Sequence, residues 1–147
     1  MAGDQDSMLK AKIPKELDSK LAKAVDESRI LLMNLGYFVR DVLAVDENTI
    51  DVFAMKESLL ESEKIRIRIV NSSSGSGLTI QTVKNFFAEQ ARVFDVKGML
   101  ISLNTIPKQT QKFINEKELP VFGPNWLEKW TDLTLGVKNK KIGDDMT

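Results

Sequence analysis

The chain has 147 residues, 42% hydrophobic and 29% charged, with Lys+Arg and Asp+Glu balanced at 21 each. That suits one ordinary globular domain with a substantial core and no global positive field to announce nucleic acid. It contains no cysteine and no histidine, which excludes disulfides, thiolate metal sites, cysteine nucleophiles, imidazole ligands and histidine-based triads. Any catalysis would fall to carboxylates, lysine, tyrosine or a hard metal ion.

Residues 1–12 are polar and read as a disordered tail. Ile13-Pro14-Lys15-Glu16-Leu17 opens a helix, with proline near the start where its absent N–H costs nothing. Leu17, Leu21, Ala24, Val25, Leu31, Leu32 and Leu35 recur at helical spacing, and Gly36 closes the run as a C′ residue. Tyr37 to Val45 predicts a strand, Asp46-Glu47-Asn48 a hairpin turn, and Thr49 to Met55 a second strand. Glu57 to Glu63 reads as a charged connection.

From Ile65 to Asn71 apolar and cationic residues alternate, so Ile65, Ile67 and Ile69 share one face and Arg66 and Arg68 the other. This third strand runs into Ser72-Ser73-Ser74-Gly75-Ser76-Gly77. A helix over Leu78 to Phe94 follows, with Ile80, Val83, Phe86, Phe87 and Ala91 on its buried side and Phe94 and Phe113 also read as core. Gly98 to Leu103 suits a strand buried on both faces. A helix over Pro107 to Asn115, a short strand over Leu119 to Phe122 and a helix from Asn125, a good N-cap, to Leu133 complete a domain over 13–135. Residues 136–147 read as a flexible tail. The order α-β-β-β-α-β-α-β-α predicts an α/β domain with a mixed central β-sheet flanked by helices on both faces.

Four segments in this order carry a resemblance. Glu27 to Val39 (ESRILLMNLGYFV) ends the opening helix, and Thr49 to Ala54 (TIDVFA) is a strand with Asp51 at its centre. The strand, loop and helix from Ile65 follow, and Val96 to Trp130 supplies a strand, a helix, a short strand and a last helix. Together, from about Lys20 to Trp130, they resemble the restriction-endonuclease-like superfamily, especially the branch of Mrr-type restriction enzymes and archaeal Holliday-junction resolvases.

The resemblance implies a metal-dependent DNA endonuclease fold with a carboxylate on the second strand and Glu-x-Lys or Gln-x-Lys on the third. The carboxylates hold Mg²⁺ or Mn²⁺, and the lysine helps activate water and stabilise charge on phosphorus. Asp51 matches the strand carboxylate, and Glu27 matches the helix acid that some members use. The third strand departs, because either register sets Arg66-x-Arg68 or Arg68-x-Val70 where acid-x-lysine should stand. Two unit charges at about 4 Å interact by roughly 4 kcal/mol at an effective dielectric near 20, so a cation there opposes a metal ion. The expectation is that Asp51 pairs with Arg68, that the nuclease centre is degenerate, and that no cofactor is bound.

Every feature also has an ordinary structural reading. Arg66 and Arg68 can be a solvated strand face, Glu27 a helix-surface acid, and Trp126 and Trp130 a pair packed on the sheet or at an interface. Ser74, Gly75 and Gly77 could cradle a phosphate before a helix N-terminus, but the Lys-Ser/Thr of a P-loop is absent and a flexible loop is the simpler reading. Two function classes follow. One is an inactive nuclease-like domain that binds DNA or a protein partner, with Arg66, Arg68 and Lys84, joined by Arg92, Lys108 and Lys112, as its basic candidates. The other is an endonuclease with a migrated acid, Asp51 acting with Glu27, Glu61 or Glu63 on Mg²⁺ or Mn²⁺. A third, weaker alternative is a nucleotide- or phosphate-binding module built on the Ser/Gly loop. The absence of a signal peptide or a membrane-length apolar run predicts a cytoplasmic protein without a membrane partner, and the resemblance implies a homodimer.

Overall fold

A computed structural model describes residues 19–72 and 77–132. The expected helix start at Ile13 and both expected tails lie outside the described residues, as do Ser74 and Gly75. Helix α1 (Ser19–Asn34) ends at Gly36, whose φ of 91° is open to glycine at little cost. There the Gly36 N–H donates to the Met33 carbonyl (3.0 Å) and the Tyr37 N–H to the Leu32 carbonyl (2.8 Å), the bond pair of a Schellman motif.

Strands β1 (Phe38–Asp46), β2 (Thr49–Glu57) and β3 (Ser62–Val70) form an antiparallel meander. The β2–β3 hairpin is longer than its sequence suggests. Glu57 pairs with Ser62, so both ends of the expected charged connection are paired strand. Only residues 58–61 turn, held by the Ser58 N–H and hydroxyl donating to the Glu61 carbonyl at 2.8 Å each. Helix α2 (Ile80–Gln90), N-capped by Thr79, carries the chain to β4 (Val96–Ser102), which pairs parallel with β3. Helix α3 (Lys108–Lys117) leads to β5 (Val121–Phe122), parallel to β4. The sheet order is β1-β2-β3-β4-β5, a mixed five-stranded sheet, and residues 126–132 are helical. This is the α/β architecture with helices on both faces that the element order predicts.

Period two divides the sheet. On one face Ile50, Val52, Ala54, Ile65, Ile67, Ile69 and Ile101 pack against Leu21, Val25 and Leu32 of α1 and against Trp126 and Trp130. The Trp rings meet edge to face at 5.3 Å and are 4% and 5% exposed, so the pair belongs to the core. On the other face Val70 and Leu100 pack against Val83 and Phe86 of α2 and Ile114 of α3. Two expectations for α2 need correction: Ala91 is exposed, and Phe94 is 90% exposed rather than core. The helix stops at Gln90, residues 91–95 turn, and Asp95 takes a φ of 62°, so apolar spacing beyond Gln90 no longer reports a helix face. Among the described residues no helix is long and apolar enough to cross a membrane.

Candidate functional site

Asp51 projects from β2 onto the α2 face of the sheet, where Arg68 is its register partner and Arg66 stands one pleat along β3. The expected Asp51–Arg68 pair is present, and Arg66 joins it. Arg68 donates Nε to Oδ1 (2.8 Å) and Nη2 to Oδ2 (3.0 Å), while Arg66 donates Nε and Nη2 to Oδ2 at 3.1 and 2.9 Å. Three of these four bonds end on Oδ2 and one on Oδ1, so both carboxylate oxygens are engaged by guanidinium groups. Asp51 is 4% exposed and Arg66 8%.

Helix α2 completes the cluster. Glu89 spans both arginines, its oxygens lying 3.5 Å from Arg66 Nη2 and 3.2 Å from Arg68 Nη1. One turn earlier, the buried Phe86 ring sits 5.0 and 5.1 Å from the two guanidinium carbons, within cation–π range. Two acids and two cations thus neutralise each other under an aromatic lid. Burial opposes the Arg68 charge, but the Asp51 and Glu89 carboxylates outweigh it and raise its pKa. The arrangement holds strand, strand and helix together through charge-assisted bonds, and it commits both Asp51 oxygens to guanidinium partners. A divalent ion at Asp51 would meet two guanidiniums, each opposing it by roughly 8 kcal/mol at 4 Å and an effective dielectric near 20.

The other candidates lie apart from this cluster. Glu27 is on α1, against the opposite face of the sheet, and its ion-pair partner is Lys23 at 3.8 Å. Glu63 stands five β3 residues before Arg68, about 17 Å along the strand at 3.4 Å per residue. Its side chain pairs with Lys97 (3.4 Å) at the end of the sheet, and Glu61 lies in the adjoining turn, so neither acid reaches Asp51. Among the described residues no three His, Cys, Asp or Glu side chains converge to hold a metal ion. Lys84 lies over the Phe113 ring at 5.4 Å, turned toward α3 and away from Arg66 and Arg68. Arg92, Lys108 and Lys112 are exposed.

Where the Ser/Gly loop enters and leaves, its groups are committed to structure. The Ser72 N–H donates to Asn104 Oδ1 (2.6 Å) and its hydroxyl to the Gly77 carbonyl (3.3 Å). Gly77 has a φ of 65°, and a Cβ there would lie 3.0 Å from the Thr105 carbonyl oxygen. Sequence reasoning did not find Glu89. The available signal was its spacing three residues after Phe86, which places both on the helix side that faces β3.

No family model and no curated protein matches this chain. Among solved structures, the MspJI restriction endonuclease in complex with a 27-mer oligonucleotide matches with 16% identity and a TM-score of 0.38. The match covers 52% of this chain and 18% of that one, so the chain spans less than a fifth of that protein's length.

Proposed function

We propose that this chain is a non-catalytic domain of restriction-endonuclease-like architecture that works by binding nucleic acid or a protein partner. One observation carries the reading: the carboxylate at the metal-binding position of the resembled family is bonded through both oxygens to Arg66 and Arg68 and roofed by Phe86. A migrated acid would need a second carboxylate beside Asp51, and Glu89, the acid that shares both its arginines, is itself engaged with them. The balance of 21 cationic and 21 anionic side chains favours recognition through a local surface rather than a global field.

The test has two parts. Melting temperature is followed while Mn²⁺ and Mg²⁺ are titrated, and linear, flap and junction DNA are incubated with the protein and either metal. No thermal shift and no cleavage are expected. Metal-dependent cleavage overturns the proposal. Binding to the same DNAs is then measured at low salt, where phosphate contacts are strongest. Measurable affinity identifies nucleic acid as the ligand, and its absence assigns the surface to a protein partner.

A further inference from the structure

The face of the sheet opposite the Asp51 cluster holds an opening of about 160 Å³ that the core side chains leave unfilled. Ile65 of β3 and Met99 of β4, diagonal neighbours on that face, line it from the sheet. Leu32 of α1 and Leu35 just beyond it line one side, and Phe122 of β5 and Trp130 of the 126–132 helix another. Tyr37 completes the lining. Protein interiors pack closely and keep few voids larger than a water molecule, so this opening is room of ligand size.

Size, polarity and ring geometry choose the ligand. An apolar cavity of about 150 Å³ takes one benzene ring, so the volume here suits a single ring and not two fused ones. No lining residue carries a charge, and a charged group inside would lose its water without gaining a partner. Two residues further along the same strands, Glu63 and Lys97 are ion-paired at 3.4 Å, and the Tyr37 hydroxyl is bonded to Glu63. Polar groups therefore stand beside the opening at the end of the sheet, and its interior is apolar. The Phe122 and Trp130 rings meet edge to face at 5.8 Å and 86°, an arrangement that a further ring can extend. The Met99 thioether adds a favourable sulfur–aromatic contact. These contacts favour an aromatic ring over an aliphatic one of equal size.

We propose that this opening is a binding site for a small uncharged molecule with a single aromatic ring. The ring packs against Met99, Phe122 and Trp130, and any polar substituent faces the Glu63–Lys97 end of the sheet. The site lies across the sheet from Asp51 and does not depend on whether the domain binds nucleic acid or protein.

Methyl-resolved NMR titration of the full chain with phenol, which is uncharged at pH 7, tests it. A dissociation constant on the order of 1 mM is expected, ordinary for a ligand of about seven heavy atoms. The methyl signals of Leu32, Leu35, Ile65 and Met99 should move, while those of the exposed Leu59 and Leu60 stay in place. Cyclohexanol should bind several-fold more weakly, and 1-naphthol should shift none of these four residues, despite its greater hydrophobicity. Leu35→Trp, which puts a larger side chain at a half-buried position, should fill the opening and weaken phenol at least 10-fold. Should that variant not fold, the parent's methyl map decides alone. Shifts spread over the exposed leucines, or affinities that simply follow hydrophobicity, overturn the proposal. So do nuclear Overhauser contacts from these four residues to the chain beyond Asp132 with no response to phenol, which would make the chain itself the occupant.

Discussion

Asp51 and Arg68 are register partners across β2 and β3, joined by two bonds of 2.8 and 3.0 Å in a site where the carboxylate is 4% exposed. Arg66 and Glu89 close the cluster, so removing one member leaves a buried charge without its partner. Asp51→Asn should therefore destabilise the fold by about 3–5 kcal/mol, read from urea denaturation. A residue waiting for a metal ion behaves the other way: neutralising it relieves repulsion and costs little. A loss below about 1 kcal/mol would place Asp51 in a solvated setting rather than a closed one.

The same geometry indicates how a metal site could be introduced beside Asp51. Arg66 and Arg68 point to the same face as Asp51, so Arg66→Glu with Arg68→Lys places acid-x-lysine beside the aspartate. Without metal this double variant should be less stable than the parent, because the introduced carboxylate would face Asp51 and Glu89 with one cation among three acids. With millimolar Mn²⁺ it should regain stability by mass action, about 2.7 kcal/mol at one hundred times the dissociation constant. The parent chain should show no such shift. Melting temperature with and without Mn²⁺ decides it, and an unresponsive double variant would mean that the backbone no longer presents a metal site.

Much of this cluster can be read in the sequence, and the reasons are physical. Alternation along Ile65 to Ile69 assigns the isoleucines to one face and the arginines to the other, because side-chain direction in a strand repeats every two residues. Alternation does not give register, which depends on where the intervening turn closes. The Glu57–Glu63 segment hides that turn because its charged residues continue the strands to a Glu57–Ser62 pair. Hence either arginine could have faced Asp51, and in the structure both bond to it. Glu89 was hidden for another reason: its role depends on how α2 docks over β3, a tertiary relationship with no local signature. Phe94 misleads because apolar spacing persists past Gln90, where the helix has ended.

Gly98 and Gln90 are a coupled pair behind this cluster. Gly98 is the β4 register partner of Arg66, and Gln90 folds over it to donate its amide to the Val96 carbonyl. A Cβ at position 98 would lie 2.5 Å from Gln90 Cγ and 2.7 Å from Cδ, in a region where Gln90 is 9% exposed. Gly98→Ala should cost about 1–3 kcal/mol as an overpacking substitution. Gln90→Ala alone should cost about 1 kcal/mol through the lost hydrogen bond. In the double variant the clash is gone, so its loss should be smaller than the sum of the single losses, a coupling that a double-mutant cycle on denaturation data reports. Strict additivity would mean that the Gly98 requirement comes from the backbone instead.

Tyr37 and Glu63 should shape the pH dependence of stability. Burial, reinforced by a hydrogen bond to Glu63 and by its charge, pushes the Tyr37 phenol from 10.0 up to about 12. The same hydrogen bond, helped by Lys97 and Lys56, lowers the Glu63 pKa below its ordinary 4.5. A phenol whose folded pKa is raised contributes stability that is intact below pH 10 and lost as pH climbs toward 12. A carboxyl whose folded pKa is lowered contributes stability that is present above pH 4.5 and lost as pH falls through its folded value. The pair should thus hold a plateau between those limits. Tyr37→Phe should flatten the alkaline limb and soften the acid limb, both read from urea midpoints against pH. Ultraviolet titration of the phenolate provides an independent check, and an ordinary tyrosine titration would remove the basis for the alkaline limb.

Helices α1 and α3 end with the same hydrogen-bond pattern but different residues at the left-handed position. Gly36, at φ 91°, closes α1, whereas Glu118, at φ 52°, closes α3. There the Glu118 N–H donates to the Asn115 carbonyl (3.3 Å) and the Leu119 N–H to the Ile114 carbonyl (3.0 Å). A side chain in this conformation costs about 1–2 kcal/mol, and a negative charge at a helix C-terminus adds about 0.3–1 kcal/mol against the macrodipole. Glycine relieves both but returns about 0.5–1 kcal/mol through the greater freedom of the unfolded chain. Glu118→Gly should therefore stabilise the fold by about 1 kcal/mol, while Glu118→Gln, which removes only the charge, should gain a few tenths. Gly36→Ala should show the converse, a loss of about 1 kcal/mol, since it places a Cβ at φ 91° and within 3.3 Å of the Lys56 side chain. Chemical denaturation of the three variants separates strain from charge. If Glu118→Gln gained as much as Glu118→Gly, the cost at this helix end would be electrostatic and not conformational.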